Sequence, residues 1–137
     1  MSENPADRLP ITAGVHAHLG VRVVESSKER VVLAVDVGAI HHQPYGILHG
    51  GVSALLAEGA ASFGGALNVS DDQIVVGTEL NCSHLRPMTD GTLSATATPI
   101  RIGRSVHVWS IEMTDERGRL ISVARCSLQV MAAPPAR

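Results

Sequence analysis

The sequence predicts an α+β domain in which one antiparallel sheet wraps around a single long central helix. Three observations predict it. Two strand-like segments precede one long helical segment and four strand-like segments follow it, each bounded by turn residues. The helical segment is rich in Ala and Leu, lacks proline and is apolar nearly all the way round, so it should be enclosed by protein. Hydrophobic residues make up 45% of the 137 residues but aromatics only 2%. A core of Val, Ile, Leu and Ala must therefore form by close packing of helix on sheet.

Residues 1–10 read as a flexible lead, followed by a short helical piece ending near His18. Residues 21–24 and 31–37 read as strands joined by the polar turn Glu25-Ser26-Ser27-Lys28-Glu29. The second alternates, with Val31, Leu33, Val35 and Val37 on one face and Val32, Ala34 and Asp36 on the other. Residues 41–46 form a loop containing Pro44 and Gly46. From Val52 the absence of proline and the run of Ala and Leu predict a helix ending near Gly64-Gly65. After a break at 68–72, residues 74–84, 91–102, 106–114 and 119–131 read as strands. Asp90-Gly91, Gly103-Arg104 and Asp115-Glu116-Arg117-Gly118 supply the turns between them. The tail 132–137, with Pro134 and Pro135, is expected to fray. One domain accounts for residues 1–137. A lone sheet of this size leaves edges and a face open, so association into at least a dimer is expected.

Composition narrows the function. A formal charge of -2 gives no electrostatic reason to expect nucleic acid as a partner. Cys82 and Cys126 lie in apolar strands with no metal-type spacing, which points to buried, reduced thiols. The start MSENPADRLP has neither a basic nor an apolar run, so we expect no secretory signal and a cytoplasmic location. The apolar stretch 52–69 contains Glu58, two serines and three glycines, which suits a buried helix better than a membrane span. Neither HExxH nor CxxC occurs, and His16/His18 and His41/His42 make poor metal sites. Gly51-Val52-Ser53-Ala54-Leu55 starts like a nucleophile elbow but lacks the closing glycine and sits inside a helix. No dinucleotide or phosphate-loop fingerprint is present, so no bound cofactor is expected.

The informative run is Gln43-Pro44-Tyr45-Gly46-Ile47-Leu48-His49-Gly50-Gly51, leading straight into the helix that carries Glu58 and Ser62. Gly50 and Gly51 stand at the helix start, where unpaired N–H groups and the positive dipole end point outward. That is a natural oxyanion hole for acyl transfer, and glycine lets a carbonyl approach closely. Glu58 and Ser62, spaced i and i+4, share one helix face. A carboxylate among Ala57, Gly59, Ala60 and Ala61 is costly to bury unless hydrogen-bonded, which marks Glu58 as functional rather than structural. His49 alone would read as a helix cap; beside Gln43, the glycine pair and Glu58 it joins the candidate site.

The run HQPYGILHGG, then Glu58 nine residues after His49, then VVGTELNCSHLRP and later GR, VW and DERGRL, resembles the hotdog-fold thioesterases. The similarity is to the aromatic acyl-CoA type, the branch of the enterobactin proofreading and 1,4-dihydroxy-2-naphthoyl-CoA hydrolases, and it extends from about Leu19 to Val130. It implies a hotdog dimer, often paired into a tetramer, with active sites between subunits and a reaction that needs no metal. It implies that Glu58 is nucleophile or general base and that Gly50 N–H polarises the thioester carbonyl. Gln43 and His49 match positions lining the reacting centre; Ser62 and His84 match positions near the acyl group and attacking water. Arg86, Arg101 and Arg104, with Gly103 in the turn before Arg104, are candidates for binding CoA phosphates. The substrate would be an acyl-CoA or acyl-carrier-protein thioester. Two other readings of the fold stay open on sequence: an enoyl-CoA hydratase, and an acyl-CoA or carrier binder without catalysis.

Overall fold

The computed structural model describes residues 11 and 13–135. In chain order its elements are α1 (Gly14–His18), β1 (Arg22–Ser26), β2 (Val31–Val37), α2 (Gly50–Leu67), β3 (Gln73–His84), β4 (Gly91–Ile102), β5 (Val106–Thr114) and β6 (Leu120–Ala132). The six strands form one antiparallel sheet in the order β1-β2-β4-β5-β6-β3.

Period-two alternation puts Val31, Leu33, Val35 and Val37 of β2 on the helix side of the sheet. Leu93, Ala95 and Ala97 of β4, Trp109, Ile111 and Met113 of β5, and Ala124, Cys126 and Leu128 of β6 join them. Together they bury Leu56, Ala57, Ala60, Ala61, Phe63 and Leu67 of α2. The low aromatic content has its counterpart in the small residues of the helix, which let the sheet come close. A Cβ on Gly64 would stand 2.6 Å from Cζ3 and 2.8 Å from Cζ2 of the fully buried Trp109. The Gly64-Gly65 pair, expected to end the helix, is thus a packing surface within it. The helix runs on to Leu67, and the Asn68 side chain donates to Gly64 O at 2.7 Å where it stops. At the other end it starts at Gly50, two residues ahead of Val52, because His49 Nδ1 accepts the Gly51 N–H at 2.8 Å and caps it.

The helix is not enclosed on every side within one protomer. Gly51 and Glu58 are exposed, and Val52, Leu55 and Ser62 are only half-buried. The expectation of a fully surrounded Glu58 is therefore corrected. The curled sheet covers one side of α2, and the flank carrying Glu58 and Ser62 faces outward.

Strand β3 forms one edge of the sheet. Its pairing with β6 slips between Gly77↔Leu128 and Glu79↔Ser127, leaving Thr78 as an extra residue. Such a bulge reverses the alternation beyond it. Val75 and Gly77 face the helix before it; Leu80, Cys82 and His84 pair with the buried Cys126, Ala124 and Ser122 after it. Without the bulge His84 would point to the opposite face.

The loop before α2 is fastened at several points. Buried His41 accepts the Gly38 N–H on Nδ1 at 2.9 Å and donates from Nε2 to Leu19 O at 2.8 Å. Leu48 N–H donates to Met88 O at 2.7 Å, and His42 Nε2 donates to Thr89 O at 2.6 Å. Ala132, assigned to the tail by sequence, is the last residue of β6 and pairs with Gln73; the Ala133 N–H donates to Asp72 O at 2.8 Å. The lead 1–10 and residues 136–137 lie outside the described residues. No helix among the described residues is long and apolar enough to cross a membrane.

Candidate active site

Helix α2 serves two separate cavities. One, of about 370 Å³, lies at its N-terminus and is lined by Gln43, Leu48, Gly50, Ser53, His84 and Arg86, among others. The second, of about 310 Å³, lies along its middle against α1 and is lined by His16, Leu55, Glu58, Gly59, Ser62 and Phe63. Gly50 and Glu58 are eight positions apart, about 12 Å along a helix axis. The candidate residues thus fall into two groups, one at each cavity.

In the first cavity, His84 leans on the helix start. A Cβ on Gly50 would stand 2.6 Å from His84 Nε2 and 2.9 Å from Cε1, while His84 Nδ1 lies 3.1 Å from Ser122 Oγ. The first N–H groups of a helix lack intrahelical acceptors. Gly51 N–H is taken by His49 Nδ1 and Val52 N–H by His49 O at 2.9 Å, whereas nothing among the described residues accepts from Gly50 N–H. Gly50 is therefore the backbone donor available to a carbonyl oxygen in this cavity. Gln43 is held by backbone bonds from its N–H to Ile47 O at 2.8 Å and from Gly46 N–H to its own carbonyl at 2.9 Å. Its side-chain oxygen accepts from Tyr45 N–H, so its amide NH2 is the group left to donate. Ser53, set aside in the sequence as part of an incomplete nucleophile elbow, lines this cavity while 1% exposed, its hydroxyl without a partner among the described residues.

The second cavity holds Glu58 and Ser62 on one helix face, as their i, i+4 spacing requires. It also holds His16, which sequence had considered only as a poor metal ligand. Burial lowers the His16 pKa, against a smaller opposing effect from a hydrogen bond to the Leu55 carbonyl. Its imidazole packs on Gly59, with Cε1 3.2 Å from where a Cβ would stand.

Other candidates stand apart. His49 is exposed and lines neither cavity; its Nδ1 caps the helix. Arg86 lines the first cavity, but Arg101, Gly103 and Arg104 sit at the β4–β5 hairpin tip and line neither. Gly103 N–H donates to Val106 O at 2.9 Å within the turn. Burial, followed by the negative charges of Glu58 and Glu79, pushes the Cys126 thiol up to about 11, and burial also raises Cys82. Cys126 therefore stays protonated at neutral pH and has no thiolate to offer.

A six-stranded antiparallel sheet curled on one long helix is the hotdog fold of thioester hydrolases. The chain belongs to the thioesterase superfamily, whose family model matches residues 45–122. It is 43% identical over 117 residues to a 1,4-dihydroxy-2-naphthoyl-CoA hydrolase of Listeria monocytogenes, covering 85% of this chain and 95% of that protein. It is 39% identical over 114 residues to the proofreading thioesterase EntH of Cronobacter turicensis, covering 83% of each. A solved thioesterase from Haemophilus influenzae superposes with a TM-score of 0.87 at 35% identity, over 93% of this chain and 88% of that one.

Proposed function

We propose that the protein hydrolyses aromatic acyl-CoA thioesters at sites shared between two protomers, Gly50 of one facing Glu58 of the other. The observation that carries this reading is the division of the candidate residues along α2. A thioester carbonyl on Gly50 N–H lies too far from Glu58 of the same helix, and the helix flank bearing Glu58 is open. The long exposed edge of β3 is a surface on which a second copy can pair.

In that arrangement the carbonyl oxygen binds Gly50 N–H, and the positive end of α2 stabilises the oxyanion. Gln43 and His84 border the reacting carbon, with the Ser122 hydroxyl holding the His84 ring. Glu58 of the partner subunit either attacks the carbonyl carbon, giving an anhydride as the C–S bond breaks that water then hydrolyses to free the acid and the carboxylate, or takes a proton from water, whose hydroxide attacks. In both routes CoA leaves as thiolate and is protonated, and the acyl group ends as a free acid. Ser62 lies beside the carboxylate and the acyl group. Arg86 meets the CoA phosphates at the mouth of the first cavity. The aromatic preference draws on the two named hydrolases, and carrier-protein thioesters are the neighbouring substrate class. The reaction proceeds without a bound metal or cofactor, in a cytoplasmic dimer or tetramer.

The test is complementation between two dead variants. E58A and Q43A/H84A should each lose at least about 100-fold in kcat, the scale of a missing acid–base group. Mixed in equal amounts, unfolded and refolded together, they should recover about a quarter of wild-type sites, because half the dimers are hybrids with one intact site each. Free-thiol release from benzoyl-CoA-type substrates reads the outcome. No recovery, or near-normal turnover by E58A, refutes the shared site.

A further inference from the structure

We infer that Gly77 is the seat of the Glu58 carboxylate and a positioning residue for the reaction; this rests on Glu58 being the reacting group. Gly77 lies in mid-strand on the helix-facing side of β3, immediately before the bulge. A Cβ there would stand 2.9 Å from Glu58 Cδ and 3.2 Å from Cγ, and it would meet Oε1 more closely still. The whole carboxyl end of Glu58 therefore lies over the bare α-carbon.

Backbone conformation does not explain this glycine. Its φ lies outside the left-handed region that five other glycines of the chain occupy. Glycine inside a strand weakens it, and a frequent reason to keep one is close approach by another group. Here the approaching group is the carboxylate.

The bulge completes the seat. Because Thr78 is extra, the next helix-facing side chain after residue 77 is Leu80 rather than one at 79. The sheet surface thus carries Val75, then a bare position, then Leu80, and Glu58 lies over the gap. No ion pair among the described residues includes Glu58. Shape, not a charged partner, fixes where the carboxylate stands, and any side chain at 77 pushes it off the sheet.

The test is a kinetic cycle with G77A, E58D and their double variant. G77A should lower kcat at least ten-fold with KM within two-fold, since binding groups elsewhere are untouched. In E58D the carboxylate is one methylene shorter and withdraws from residue 77, so adding G77A should cost less than three-fold. Melting curves cover the possibility that G77A folds poorly. A Tm loss that disappears in E58A/G77A locates the clash at Glu58, and one that persists there refutes the proposal. A G77A enzyme within two-fold of wild-type kcat, or an equal penalty in the Glu58 and E58D backgrounds, also overturns it. Failure of the underlying reading is separate: it shows as turnover retained by E58A itself.

Discussion

Replacing Gly50 by alanine isolates the oxyanion end of the site. The new Cβ would lie 2.6 Å from His84 Nε2, so the ring must withdraw by about 0.8 Å to reach the ordinary contact distance of 3.4 Å. The ring has little room to retreat, because Nδ1 lies 3.1 Å from the hydroxyl of fully buried Ser122. The methyl also projects into the cavity where the substrate carbonyl must meet Gly50 N–H. The donor survives but its approach is obstructed, so the ceiling is the loss of one oxyanion donor, about 100- to 1,000-fold in kcat. Stability should hold or fall slightly, since overpacking of about 1–3 kcal/mol against the His84 ring offsets a helix-propensity gain of at most about 1 kcal/mol at this first helical residue. Free-thiol release under saturating substrate, beside a melting curve, reads both. The two causes separate in an H84A background. If displacement of His84 dominates, G50A costs little there; if blockage of the N–H dominates, the full penalty persists. G50A within three-fold of wild-type kcat would refute the assignment of Gly50 as the oxyanion donor.

Two further expectations concern stability. G64A drives a methyl into the Trp109 ring; overpacking of about 1–3 kcal/mol exceeds the helix-propensity gain of about 1 kcal/mol. A Tm lower by roughly 3–6 °C is expected, and W109F, which removes the ring atoms in the way, should abolish the loss. Burial holds the His16 and His107 pKa values below the ordinary histidine value. Between that value, about 6.5, and the lower folded ones the unfolded chain binds more protons, so stability should fall as pH drops below about 6.5. Denaturant titrations from pH 7.5 to 5.5 should show this slope shrinking in H16V/H107L; an unchanged slope would assign it to other groups.

The fold was legible because its signals are local. Alternation located β2, turn residues bounded the β4 and β5 strands where they are observed, and missing proline with abundant alanine located α2. The exposed flank of α2 was not legible, since apolar residues all round a helix state that it will be covered without saying by what. Gly77 was invisible for a related reason. A strand glycine shows a need for space only when the side chain above it, 19 positions earlier, is in place. Ser53 and His16 gave signals that pattern reading discounts, a serine in an incomplete nucleophile elbow and a histidine pair without metal-type spacing. Their burial comes from neighbours on β6 and α2, which sequence order keeps apart. Glu58 and Ser62 could be joined from spacing alone because helix geometry fixes i, i+4 neighbours. Gly50 and His84 could not, because a bulge had to turn β3 first.

That bulge sets a counting rule for the chain. Gly77 and His84 are seven positions apart, an odd interval that a regular strand would place on opposite faces. Thr78 converts odd to even, so both meet α2. Loss of any single residue within the strand between them, or gain of one, would turn His84 away from Gly50 while preserving every amino acid involved. A length change in the 85–90 connection carries no such penalty to His84. Relatives of this protein can therefore be sorted by interval as well as by residue type. One that keeps the glycine and the histidine seven apart without a bulge has given up this contact, however well its residues match.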